Sequence, residues 1–386
     1  MDVYEVSTQF EEQLRIKADQ ANLPLGGSME LTPLCNMNCR MCYVRMSRTQ
    51  MEQAGRMLTC DEWLRIAAEA KEQGVLYLLL TGGEPLLFPE FRRLYTRLLE
   101  MGFVVTLNSN GTLINEEWAD FFAAHPCRRI NLTLYGKNNE AYQELCGNPN
   151  GFSQVMRAAD LLRERNIPFR LHTSITPENV EDIDELYRIA GERDIYLRGA
   201  TYMFPAVRLG KDSQTQERLD PESAAQAMYL VHKRMRTEDE MRRANTSTLA
   251  SLHLPPRFWQ ISGFSCHAGH SGFWMNWKGE MQACGMMTGP SFSLLEHGFT
   301  NCWKKVLKAS AEIDYCEDCR QCELQNICQI CPAMLKAETG AYNRRPDYVC
   351  RYTKEMFRLM MADASPEERE LHTKFLEGLK THKAFS

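Results

Sequence analysis

The sequence predicts an α/β protein built on a parallel sheet, with a small cysteine-rich region after it. Two observations predict the sheet. Strand-like and helix-like segments alternate from Ser28 to Thr201, and six strands can be counted along that stretch. Alternation of this kind gives parallel strands joined by right-handed crossovers. Six units are too few to close an eight-stranded barrel. The second half rests on cysteine, because six of the 15 cysteines in 386 residues fall between Cys316 and Cys350.

In chain order, Met1 to Gly27 reads as a polar helical lead, with a weak helical period from Phe10 to Ala21 and a breaker at Pro24-Leu25-Gly26-Gly27. The first strand is the alternating run Ser28 to Leu34. Thr59 and Glu62 form a capping box that opens a helix ending at Gly74. Val75 to Leu80 is a continuous apolar strand. Pro89 to Glu100 is helical, Phe103 to Leu107 a strand, and Asn115 caps a helix to Ala124. Arg129 to Leu134, Phe169 to Ile175 and Ile195 to Thr201 are strands separated by the helical runs Ser153 to Arg165 and Val180 to Arg193.

From Ala206 the pattern changes. Lys211 to Gln216 reads as an exposed loop, Pro221 to Arg243 as a charged helix with a solvated face, and Pro255-Pro256 as a boundary. Alternating apolar residues around Lys278-Gly279 read as a hairpin holding one cysteine, Cys266 or Cys284, on each arm. Met286, Met287, Phe273, Trp274 and Trp277 read as hairpin packing. The divisions are residues 1–27 as a lead, 28–205 as the sheet domain, 206–262 as a helical linker and 263–386 as the cysteine-rich domain with a C-terminal helix.

An apolar content of 44% is ordinary for a globular chain, and a net charge of −5 with a pI near 6.1 argues against a nucleic-acid surface. No apolar run is long enough to cross a bilayer, and the N-terminus is acidic where an export signal is basic, so a cytoplasmic location is expected. A large chain lacking an export signal uses clustered cysteines for metal or catalysis. The scattered Cys60, Cys127, Cys146 and Cys302 read as small buried hydrophobes.

Cys35, Cys39 and Cys42, spaced C-x3-C-x2-C after the first strand, can hold three irons of a cubane and leave the fourth without a protein ligand. Zinc normally wants a fourth Cys or His nearby, and the next, Cys60, opens a helix. The spacing resembles the signature of radical S-adenosylmethionine (SAM) enzymes, in which SAM completes the open iron. That resemblance implies a partial (β/α)6 barrel whose strand ends face the cluster. Strand two runs into Thr81-Gly82-Gly83-Glu84-Pro85. Two glycines allow close backbone approach and Glu84 supplies an acceptor. In the family a segment of this kind contacts the amino group of SAM, a role the resemblance implies for Gly82, Gly83 and Glu84. Asn108-Ser109-Asn110-Gly111-Thr112 is similar to the family's T-N-G turn, which places Asn108 among the SAM contacts, and Ser174 at the end of strand five is a candidate ribose contact. Tyr135 stands where many relatives have an acid, so no ribose contact is carried onto it. His172 reads as a core histidine.

The order Cys266, Gly279-x4-Cys284, Cys319-x2-Cys322-x5-Cys328, Cys331 and Cys350 resembles the SPASM extension of radical SAM enzymes, with x2 between Cys328 and Cys331 where the family has x3. By the family's interleaving, Cys319, Cys322, Cys328 and Cys350 hold an outer [4Fe-4S] cluster, and Cys266, Cys284 and Cys331 an inner one. The inner cluster's fourth position is either Cys316 or open to a substrate atom. Structural zinc is the competing occupant of the C-x2-C pairs.

The resemblance implies three [4Fe-4S] clusters and SAM as cofactors. It further implies that SAM is cleaved reductively to a 5′-deoxyadenosyl radical that removes a hydrogen from substrate, with auxiliary clusters as acceptors of the returning electron. The expected function is oxidative modification of a peptide or protein, such as a thioether or carbon–carbon crosslink. The alternatives are oxidation of a small molecule and a non-catalytic metal-binding or electron-transfer protein. The implied partners are a peptide or protein substrate, a flavodoxin- or ferredoxin-type reductant and, because residues 1–27 are too short for a leader-binding module, a separate leader-binding protein. Nucleic acid and membrane are not among them.

Overall fold

The computed structural model describes residues 9–205, 218–254, 264 and 266–381. Among the described residues nine strands form one sheet: β1 Gly26–Glu30, β2 Tyr77–Thr81, β3 Val104–Ser109, β4 Arg129–Thr133, β5 Phe169–Ser174, β6 Leu197–Ala200, β7 Gly272–Met275, β8 Glu280–Gln282 and β9 Phe292–Ser293. Their order is β6-β5-β4-β3-β2-β1-β7-β8-β9, parallel from β6 through β7 and antiparallel beyond. The α/β class with a parallel six-strand core is therefore as the alternation predicts. The hairpin's first arm, β7, pairs with β1 in parallel, so the cysteine-rich half continues the same sheet.

Side chains alternate across this sheet. Leu78, Leu80, Val105, Leu107, Ile130, Leu132 and Leu171 are buried on the helix-covered face. The register places Thr106, Asn108, Asn131, Arg170 and His172 on the opposite, inner face. From Tyr77 to Leu80, β2 alternates half-buried and buried positions.

β1 begins at Gly26, inside the stretch read as a breaker, and the chain leaves the sheet after Glu30. Pairing on both sides overrides the weak strand preference of glycine. A Cβ on Gly27 would lie 2.1 Å from Cε2 of Phe273, whose ring packs on Phe299 and Trp303. The charged segment after Pro221 is two helices, Pro221–Met235 and Glu238–Ala250, because Thr237 and Glu240 form a capping box that opens the second helix. A short helix Arg48–Ala54, capped by Ser47 and Gln50, was not foreseen. The segments 211–216 and 255–256 lie outside the described residues.

Glu338 joins the halves at the mouth of the sheet. It accepts from Tyr202 Oη at 2.6 Å and from both Arg218 Nη atoms at 2.7 and 3.0 Å, with the guanidinium stacked on Tyr348. Gly27→Ala is expected to destabilise the fold by about 1–3 kcal/mol through overpacking against Phe273, measured as a lower denaturant midpoint with unchanged slope.

Candidate active site

The chain leaving β1 and the chain leaving β2 touch backbone to backbone. Gly83 N donates to Thr32 O at 2.7 Å, and Glu84 N to Leu34 O at 2.8 Å. A Cβ on Gly82 would sit 2.4 Å from Thr32 O, and one on Gly83 2.3 Å from Leu34 O. Gly82 also has φ 152°, in the region that favours glycine. Both glycines are thus required by the approach to residues 32–34, immediately before Cys35.

Glu84 is fully buried. Its carboxylate accepts from Leu86 N at 3.1 Å, Ser109 Oγ at 2.9 Å and Asn110 N at 2.8 Å, while burial pushes it up to about 7. It therefore ties β2 to the turn after β3. Asn110 continues that tie: its Nδ2 donates to Asn36 Oδ1 at 2.8 Å and lies 3.5 Å from Cys35 Sγ. Asn110 was not singled out from the sequence, although it stands in the Asn-Gly turn.

The C-terminus of helix Asn139–Cys146 holds the other side of the loop, with Asn38 N donating to Cys146 O at 2.8 Å and Arg40 N to Leu145 O at 3.0 Å. Met37 N lies 3.4 Å from Cys35 Sγ and Arg45 N 3.3 Å from Cys42 Sγ. These donors favour thiolate, yet burial dominates and raises Cys35 to about 12 and Cys42 in the same direction. The Cys39 thiol is also raised, first by its contact with Cys146 and then by burial. Thiols so protonated release protons when iron binds. Three soft sulfur donors on one loop, each with protein on one side, fit a cubane held by three ligands.

Asn108 lies on the inner face, where its Oδ1 accepts from Asn131 Nδ2 at 2.7 Å. Asn131 Oδ1 accepts from Arg129 Nε and Arg170 Nε, both at 3.0 Å, and Arg170 Nε lies 2.7 Å from His172 Nε2. Burial and the guanidinium groups of Arg170, Arg198 and Arg129 hold His172 down at about 3, so it is neutral at pH 7. Ser174 shares a row with Ala200 of β6.

Cys319, Cys322, Cys328 and Cys350 line one cavity. Among the described residues no three such side chains converge as on a single bound ion, and the four thiols instead form walls of a larger space. Thr353 Oγ1 lies 3.4 Å from Cys328 Sγ. Cys331 feels Cys284 and Cys266, which brings together the three thiols of the inner set. Cys316 is buried beside Cys319, on the outer side. It caps the short helix Glu317–Arg320, and spacing of three puts both thiols on one face.

A second cavity of about 730 Å³ opens at the end of β6 and runs to helices Pro221–Met235, Glu238–Ala250 and Asp347–Asp363. Val349 and Thr353 line it as well as the four-thiol cavity.

Residues 29–190 match the model of the Radical SAM superfamily. This stretch is a radical SAM domain. It is 25% identical over 346 residues to an AdoMet-dependent heme synthase of Methanosarcina barkeri, covering 86% of this chain and 97% of that one. It is 29% identical over 167 residues to PqqA peptide cyclase of Granulibacter bethesdensis, covering 43% of this chain and 44% of that one. In fold it is similar to Streptococcus suis SuiB bound to precursor peptide SuiA, with TM-score 0.67, 18% identity and coverage of 91% and 83%. Membership in the superfamily brings SAM and a [4Fe-4S] cluster as cofactors. No described helix is long and apolar enough to cross a membrane.

Gly83→Ala is expected to displace the Cys35 loop and lower iron retention by about four per chain, read by iron analysis after anaerobic reconstitution.

Proposed function

We propose that this radical SAM enzyme oxidatively modifies a peptide or protein held in the cavity at the end of β6. The observation that carries the site is the cavity's position, with walls formed by Ala200, Thr201 and Tyr202 at the strand end and by Met356 and Met360 across from them. Six methionines line it, a flexible and polarizable surface of the kind that accommodates extended chains. The sequence likeness to PqqA peptide cyclase supports this substrate class.

Cys35, Cys39 and Cys42 are proposed to hold the cluster that binds SAM, with Gly82, Gly83 and Glu84 beneath it, and Asn108 and Ser174 on the inner face toward it. Bound there, a reduced cluster and SAM supply a 5′-deoxyadenosyl radical able to take hydrogen from an unactivated carbon. The chain's own residues orient and enclose. Glu84 and Asn110 fix the cluster loop, the inner-face network of Asn108, Asn131 and Arg170 sets the floor, and methionine and tyrosine side chains screen the substrate from water. Cys319, Cys322, Cys328 and Cys350 are proposed to hold an outer auxiliary cluster and Cys266, Cys284 and Cys331 an inner one, giving three in all. Thr353, which lines the cavity and lies 3.4 Å from Cys328 Sγ, would stand between substrate and that outer cluster, which would serve as an electron acceptor. A flavodoxin- or ferredoxin-type reductant and a separate leader-binding protein belong to the same proposal.

A second reading is oxidation of a small molecule. The match to the heme synthase supports it, because coverage of 86% of the chain takes in residues beyond 190, where the whole described lining of the cavity lies. A volume of about 730 Å³ also lies in the range of small-ligand sites.

The reconstituted protein is expected to contain about twelve irons per chain and to release 5′-deoxyadenosine from SAM under dithionite. Replacing Cys35, Cys39 and Cys42 together by Ala is expected to leave about eight irons and no deoxyadenosine. Retained deoxyadenosine in that variant would contradict the assignment.

A further inference from the structure

The cavity at the end of β6 carries charge of one sign. Arg198 and Arg236 line it, and no Asp or Glu occurs among its described lining residues. Arg198 comes from β6, in register with His172, and Arg236 follows the helix Pro221–Met235. Neither guanidinium has an ion pair or hydrogen bond among the described residues. Two carboxylates outside the lining are engaged elsewhere: Asp363 by Tyr229 Oη at 2.9 Å and Lys233 Nζ at 2.8 Å, and Glu240, close enough to feel Arg236, by Thr237 N at 2.9 Å and Thr237 Oγ1 at 3.0 Å.

Arg170 and Arg129 lie behind Arg198 on the inner face, close enough with it to act on His172. His232, also in the wall, is held down at about 4 by burial and Arg236, so it adds no charge at pH 7 and offers a neutral ring nitrogen. Two guanidinium groups in one cavity, with Tyr202 and Gln329 as polar neighbours and methionine around them, fit a ligand that is apolar in body and carboxylate at its edges.

We propose that this cavity is a substrate site for a carboxylate-bearing molecule, with Arg198 and Arg236 as the groups that bind its carboxylates. This inference deepens the proposed function and rests on it for the word substrate. The carboxylates come either from acidic side chains of a peptide or from a small polycarboxylate, and both present the same chemistry to the two arginines. An anionic substrate would be drawn in by the field and oriented by paired N–H donors, fixing which carbon faces the strand ends.

The test measures binding alone. Full-length reconstituted protein is titrated into fluorescein-labelled hexaglutamate and hexaglutamine, followed by anisotropy, with benzene-1,3,5-tricarboxylate as competitor and in a separate calorimetric titration. Hexaglutamate, the tricarboxylate or both are expected to bind at least about tenfold tighter than hexaglutamine, with affinity falling as salt rises. Arg198→Gln with Arg236→Gln is expected to remove that preference, and Arg198→Lys with Arg236→Lys to keep part of it. Preference for the peptide assigns the carboxylates to a polypeptide, and preference for the tricarboxylate assigns them to a small molecule. Equal binding of hexaglutamate, tricarboxylate and hexaglutamine to the wild type overturns the proposal without any variant, as does an undiminished preference in a folded double Gln variant. No reductant is present, so lack of SAM cleavage would count against the proposed function and not against this site.

Discussion

The arrangement depends on a gap with no room for a side chain. Where β1 and β2 end, the backbone of residues 32–34 lies against Gly82 and Gly83, and any Cβ there would meet a carbonyl oxygen at 2.3–2.4 Å. Closing that gap lets Gly83 and Glu84 donate to Thr32 and Leu34, which sets the direction in which the chain enters the cysteine loop. Glu84, drawn under the loop by the same contact, reaches Ser109 and Asn110, and Asn110 reaches Asn36. Three strands are thereby coupled to the position of one sulfur. The cost is a carboxylate buried far from water, stabilised by three donors and still raised to about 7.

The same economy of space joins the halves of the molecule. β7 needs Gly27 so that Phe273 can lie flat against β1, and in return Trp274 Nε1 donates to the buried Glu30 at 2.8 Å. The cysteine-rich half is therefore positioned by sheet pairing on one side and by Glu338 on the other. Between these two attachments the sheet remains open at β6, and the large cavity occupies that opening. Two guanidinium groups line it, Arg198 from β6 and Arg236 from the end of the helix Pro221–Met235.

Much of this was legible in the sequence because it is local. Cysteine spacings, the Gly-Gly-Glu segment and the capping box at Thr59 are written in consecutive residues, and the six parallel strands follow from alternation. What was not legible depends on pairing at a distance. Gly26 and Gly27 read as a breaker because nothing local reveals two strand partners and an aromatic ring across the sheet. Asn110 looked like a turn residue, and its contact with Asn36 spans 74 positions. Arg198 sat in an unremarkable strand, since its meaning comes only from the register that aligns it with His172. Cys316 illustrates the limit of spacing, for one helical turn places it beside Cys319.

The central claim is that the loop of Cys35, Cys39 and Cys42 leaves one iron for SAM. It is tested most directly by electron paramagnetic resonance of the dithionite-reduced, reconstituted protein before and after SAM is added. A Cys319→Ala, Cys322→Ala, Cys328→Ala variant simplifies the auxiliary signals. The predicted result is a shift in the g values of one reduced [4Fe-4S] signal on adding SAM, absent when Cys35, Cys39 and Cys42 are Ala. A spectrum unchanged by SAM in protein that holds the full iron complement would contradict it.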